Sequence, residues 1–288
     1  MINYGSTLKK IRKNKGYSQK EVAGNSFAQS TYSNFESNKS DIHSAGFLYL
    51  LNQLQLSSDE FEYIFNEYKF DKVTEIKQQF FRLPYNNKQE IKHVINSIDM
   101  YLETNQNKFL EELKCICEAL LILEISGDLT KAKEKVITVW ERLSRYDQWY
   151  LMDIKIINVI LYFFDDDVAI QVTDKLLERL KTYKGLGDSL RLSLTLTLNL
   201  SMILIKNGKY SEALVKLEKL LQQNLHSFPY QSLAVCFNRI AICYSYSNRE
   251  KEDNYKMKLF NLLEVYDDKL FLNMIQHEYE KYALQKDY

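Results

Sequence analysis

The chain has 288 residues, with 38 Lys and Arg balanced by 38 Asp and Glu, 45% apolar residues, eight Gly and two Pro. This composition excludes a disordered or fibrous chain, and so few turn residues argue against hairpins and barrels, leaving a mostly helical protein. The neutral total hides a local excess: residues 1–40 hold Lys9, Lys10, Arg12, Lys13, Lys15, Lys20 and Lys39 against Glu21 and Glu36, so a head of charge +5 precedes a body of charge −5. A nucleic-acid reader joined to a second part has this pattern.

The N-terminal stretch is basic but no apolar run follows it, so no signal peptide is expected and the protein is read as cytoplasmic. A first helix is expected over residues 6–15, with Leu8 and Ile11 inward and Gly16 as its stop. Ser18 then caps a second helix, SQKEVA, with Glu21 completing a capping box. A turn through Gly24, Asn25 and Ser26 leads to a third helix over residues 29–37, with Tyr32 and Phe35 inward. Its outward residues Gln29, Ser30, Thr31, Ser33 and Asn34 are short, polar and uncharged. Gln and Asn can bond adenine N6 and N7 in pairs and Ser or Thr can reach several base edges, while surrounding cations such as Lys39 hold phosphates without reading sequence. Phe47, Leu50, Leu51 and Leu54 form the apolar stripe of a fourth helix. Ser57 or Ser58 caps a fifth, whose Asp59, Glu60 and Glu62 would repel phosphate, so it is placed away from DNA or against a second subunit.

Arg12, Gln19, Ala23, Phe27, Ala28, Ser30, Tyr32, Ser33, Phe35 and Glu36 together resemble the phage-repressor type of helix-turn-helix domain. More narrowly they are similar to the Rgg/MutR family of Gram-positive transcriptional regulators. The resemblance implies an ion pair between Arg12 and Glu36, which competes with phosphate contact as the role of Arg12, and a phosphate contact for Gln19.

A connecting helix near residues 72–82 ends at Pro84, and beyond it amphipathic runs alternate with short polar joints. Gly127-Asp128-Leu129-Thr130-Lys131-Ala132 and Gly208-Lys209-Tyr210-Ser211-Glu212-Ala213 are nearly the same joint, 81 residues apart, with Asp165-Asp166-Asp167-Val168-Ala169 midway. They resemble the turn of tetratricopeptide (TPR) repeats, where a small residue lets two antiparallel helices pack closely. Helix pairs follow at 107–125/128–144, 146–163/166–184, 188–206/209–224 and 228–246/249–265, with a closing helix at 268–286. The segment LSLTLTLNL alternates at period two, which alone signals a strand; its helical flanks favour helix. The longest apolar uncharged run, residues 192–205, has 14 residues, short of the roughly 20 of a membrane span.

Three successive first helices each carry one Asn in an apolar stretch: Asn158, Asn199 and Asn238. Their spacings of 41 and 39 residues stack them on one wall, with Glu118 at the same offset in the first pair and Tyr162, Thr195, Met202 and Ala234 one turn away. Such amides either bond the backbone of an extended peptide or fix the register of neighbouring helices. The Rgg/MutR resemblance, which covers the whole chain, implies the former and adds a homodimer that answers a short hydrophobic signalling peptide at promoter DNA.

The expected architecture is therefore all-α: a helix-turn-helix domain over residues 1–66, a connecting segment over 67–84, and a TPR-like α-solenoid for sensing and dimerisation over 85–288. Neither membrane contact nor a cofactor is expected. No catalytic motif occurs, and His43, His93, His226 and His277 are scattered. Cys115 and Cys117 would point about 200° apart on a helix, so reduced core residues are expected rather than a metal site, and the three consecutive aspartates read as a helix start. Two other functions stay open: a DNA-binding repressor whose array only dimerises or holds a protein, and a repeat-type adaptor that does not bind DNA.

Overall fold

Helix starts and stops set the frame. In the computed structural model, which describes residues 4–83 and 87–284, sixteen α-helices follow one another and no strand occurs among the described residues. The chain divides into two compact units, residues 1–117 and 118–288. The expected break at Pro84 lies outside the described residues.

In the first unit, α1 (Tyr4–Asn14) stops at Gly16, whose φ of +77° is a conformation that side chains resist. The cap of α2 (Gln19–Ala23) is reciprocal: Ser18 Oγ accepts from the Glu21 amide at 3.2 Å, and the Glu21 carboxylate accepts from the Ser18 amide at 2.7 Å. With α3 (Gln29–Glu36), α4 (Ser44–Gln53) and α5 (Ser58–Phe65), these helices enclose Leu8, Tyr32, Leu50, Leu54 and Phe61, none of them more than 1% exposed. Each such side chain stabilises the head by about 1.5–3 kcal/mol relative to exposure. Helices α1 and α3 pack tightly at Gly5, where a Cβ would lie 1.9 Å from the Phe35 carbonyl oxygen. Asp71 caps α6 (Lys72–Phe81) by accepting from the Val73 and Thr74 amides. Residues 88–102, for which the pattern assigns no separate element, form α7 (Lys88–Leu102), and α8 (Lys108–Ser126) runs across the boundary between the units.

The second unit alternates first and second helices: α9 (Leu129–Ser144), α10 (Leu151–Ile160, extended by a 3-10 turn Leu161–Phe163), α11 (Asp166–Leu180), α12 (Gly187–Lys206), α13 (Tyr210–Asn224), α14 (Tyr230–Ser245), α15 (Arg249–Tyr266) and α16 (Lys269–Tyr282). Ala132, Ala169 and Ala213, the small residues after the three related joints, are all fully buried, which is what close helix packing demands of them. At the fourth joint the buried residue is Glu252 instead, bonded by the Tyr279 hydroxyl.

The segment with period-two alternation is helical. Ten residues of α12 are buried, Thr197 and Ser201 among them; these two and the half-buried Thr195 donate their hydroxyls to the Ser193, Leu198 and Arg191 carbonyls of the same helix. Because the helix continues past Arg191 to Gly187, it is longer than its uncharged run. Among the described residues it is the one helix long and apolar enough to cross a membrane, and 56% of that apolar stretch is buried inside the protein, as in a core helix.

Cys115 is half-buried, while Cys117, Cys236 and Cys243 are buried, and burial pushes the Cys236 and Cys243 thiols up to about 12. Asp165 and Asp167 at the start of α11 face Lys133 at 3.0 Å and Lys209 at 3.8 Å. No group of three or more metal-ligating side chains converges among the described residues.

Candidate nucleic-acid and ligand interfaces

Helix α3 buries Tyr32, Phe35 and Glu36, which turns its other residues outward. Gln29, Ser30, Thr31 and Asn34 are exposed and Ser33 is half-buried. The helix ends in a Schellman turn: Asn38 takes a φ of +54°, its amide bonds Phe35 O at 2.9 Å, and the Lys39 amide bonds Asn34 O at 2.9 Å. Lys39 therefore leaves the helix exposed, directly after the polar face.

Beneath that face lies a buried ion pair. Arg12 Nε and Nη2 donate to Glu36 Oε1 and Oε2 at 2.6 and 2.8 Å, and Arg12 Nη1 donates to the Tyr17 carbonyl at 2.7 Å. Gln19 Nε2 adds a bond to Glu36 Oε2 at 2.8 Å. Of the two roles open to Arg12, the structure realises the internal one: it is 7% exposed and its guanidinium is spent on α3 and on the joint before α2. Gln19, expected to reach phosphate, turns its amide to the same carboxylate. Burial alone would raise the Glu36 carboxyl, but the hydrogen bonds from Arg12 and Gln19 and the Arg12 charge outweigh it and hold it below its ordinary range. Burial first, and Glu36 second, push the Tyr32 phenol upward, so it stays neutral.

In the repeat unit, Asn199 Nδ2 donates to Asn158 Oδ1 at 2.9 Å, which joins α12 to α10. Both residues are half-buried, and this single bond leaves Asn158 with its Nδ2 donor and Asn199 with its Oδ1 acceptor, neither of them enclosed. Tyr162 is 61% exposed, with Lys206 Nζ 5.0 Å from its ring centroid. Thr195 and Met202 are half-buried, whereas Ala234 is fully buried.

Two members of the expected series depart from it. Asn238 is fully buried, because α16 packs over this part of α14: its Nδ2 donates to the Ile275 carbonyl and Glu278 Oε1, both at 3.3 Å, and its Oδ1 has no partner. Asn238 thus follows the register-fixing alternative and is not on an open wall. Glu118 accepts from Lys135 of α9 at 2.8 Å and serves within its own helix pair. A residue outside the expected set, Arg239, ties three first helices together by donating to both Glu278 oxygens at 3.0 and 3.1 Å and to the Leu198 carbonyl. An arginine within the apolar run of α14 is the signal that could have marked it.

A family model described as the C-terminal domain of the HTH-type transcriptional regulator Rgg matches residues 85–277. Among solved structures, the chain is similar to a protein of Listeria monocytogenes EGD-e assigned as a transcriptional regulator, with TM-score 0.76 and 19% identity over 97% of both chains. It is similar to the SHP pheromone receptor Rgg2 of Streptococcus dysgalactiae, with TM-score 0.71 and 15% identity over 96% of this chain and 99% of that one. PlcR of Bacillus thuringiensis, solved in complex with the peptide PapR7 and DNA, gives 0.69 and 15% over the same shares. No curated protein matches the chain. At these identities the structural likeness carries the fold.

Proposed function

We propose, from the premise that the chain belongs to the Rgg family of helix-turn-helix transcriptional regulators, that it is a cytoplasmic, homodimeric regulator whose head reads promoter DNA and whose repeats bind a short hydrophobic signalling peptide. The functional parts are residues 1–66 for DNA and 85–288 for sensing and dimerisation, with 67–84 connecting them. Gln29, Ser30, Thr31, Ser33 and Asn34 contact base edges, and Lys39 contacts phosphate. Arg12 and Gln19 act from behind, holding Glu36 and thereby the pitch of α3.

The observation that carries the peptide reading is the Asn158–Asn199 bond, which offers one free donor and one free acceptor side by side on consecutive repeats. An extended peptide backbone presents the complementary pair, C=O and N–H, at every residue. Structures of family-like regulators with peptide and DNA, such as PlcR, support the same pairing of functions. Peptide binding regulates transcription only if the peptide prefers one of two arrangements of the protein.

The test uses full-length protein and genomic DNA fragments. Gln29→Ala with Asn34→Ala should abolish selection of specific fragments while leaving salt-sensitive general binding. Undiminished selection would refute the assignment to α3. An array that only dimerises would leave DNA binding indifferent to every peptide.

A further inference from the structure

Two lysines flank the amide pair, and their situations differ. Lys155, three residues before Asn158 on α10, is neutralised by Asp188 at 2.6 Å. Lys206, seven residues after Asn199 on α12, is exposed and meets no carboxylate among the described residues; its ammonium rests on the Tyr162 ring. On this wall, then, one lysine is paired with an acid and the other is a cation left open.

Its place is fixed twice. Seven residues are nearly two full turns, so Lys206 and Asn199 share one stripe of α12. The partner across the gap, Tyr162, lies four residues beyond Asn158, itself the partner of Asn199. The wall between α10 and α12 therefore shows an amide pair and, about 10 Å further along the helix axis, an ammonium on an aromatic face. The ring restrains the flexible lysine stem without neutralising its charge, which prepares it for an anion.

We propose that Lys206, braced on Tyr162, receives a carboxylate of the bound peptide about three extended residues, at roughly 3.3 Å each, from the residue held by Asn158 and Asn199. This rests on the peptide-binding reading above and adds to it the charge of the ligand and its position. The carboxylate is the peptide's C-terminus or an Asp or Glu side chain.

Three pools of synthetic octapeptides made from Leu, Ile, Val, Phe, Trp and Gly separate these sources: one with a free C-terminus, one amidated, and one amidated with a single Asp at varied positions. Each is passed over immobilised full-length protein and retained peptides are identified by mass spectrometry. The wild type should retain one or both carboxylate-bearing pools about fivefold over the plain amidated pool, the gain of a well-placed, partly exposed ion pair. Lys206→Met should erase that preference while retaining the plain amidated pool as the wild type does, and Lys206→Glu should disfavour the carboxylate-bearing pools. Asn199→Ala should lower retention of all three. Equal retention of the three pools by the wild type, or a preference that survives in Lys206→Met, overturns the role of Lys206 and leaves peptide binding standing. Retention of no pool by the wild type overturns the peptide reading and this proposal with it.

Discussion

Glu36 touches no expected DNA atom, yet the reading face of α3 depends on it. With its side chain fully enclosed and the Arg12 side chain nearly so, removing either partner strands a charge in the protein. Arg12→Ala or Glu36→Gln should therefore destabilise the head by about 3 kcal/mol, seen as a lower urea midpoint. The pH sign follows from the depressed Glu36 carboxyl. Its contribution is complete above the ordinary value of 4.5 and disappears as pH falls through the lower value of the folded state. Wild-type head stability should therefore fall as the solution is acidified below about 4.5, and Glu36→Gln should flatten that part of the profile. Asn34→Ala, by contrast, should leave stability unchanged and cost about 1–3 kcal/mol of discrimination at one base position. The sequence shows an arginine near the end of a basic helix, which is equally suited to a phosphate or a buried acid; only the packing of α1 on α3 decides between them.

At the scale of the helix, local chemistry was legible and lateral packing was not. The Ser18–Glu21 cap, the stop at Gly16 and the recurring joints at Gly127 and Gly208 involve residues within a few positions of one another, so their boundaries follow from the chain alone. The period-two pattern of α12 is resolved locally as well, since its hydroxyls bond carbonyls of their own helix. Two features needed partners remote in sequence. Asn238 left the open wall because α16 covers it. Gly5 looks unremarkable as text, but it is where the Phe35 carbonyl approaches α1. Gly5→Ala should push α3 outward, cost about 1–3 kcal/mol, and weaken specific DNA binding more than general binding; a variant of wild-type stability would refute the close approach. Ser18→Ala should cost about 1 kcal/mol through loss of the α2 cap.

For the whole molecule, the neutral sum of charges is misleading, because the quantity that meets DNA is the local excess of residues 1–40. Lys39→Ala should lower the salt dependence of DNA binding by about one counterion per head, almost independently of sequence. If the repeats sense peptide, a bound peptide should change DNA affinity by about 5- to 150-fold in either direction. Asn199→Ala should remove that coupling and leave peptide-free DNA binding intact, a comparison made by titrating DNA with and without peptide.

The enclosed cysteines give this protein an intrinsic clock. Cys236 lies between α13 and α14, fully buried, with its thiol held protonated at neutral pH, so alkylating reagents reach it only when those helices part. The rate of its modification therefore reports how often the repeats open. A ligand that tightens the stack of first helices should slow that reaction in the unmodified wild-type chain, without any added label.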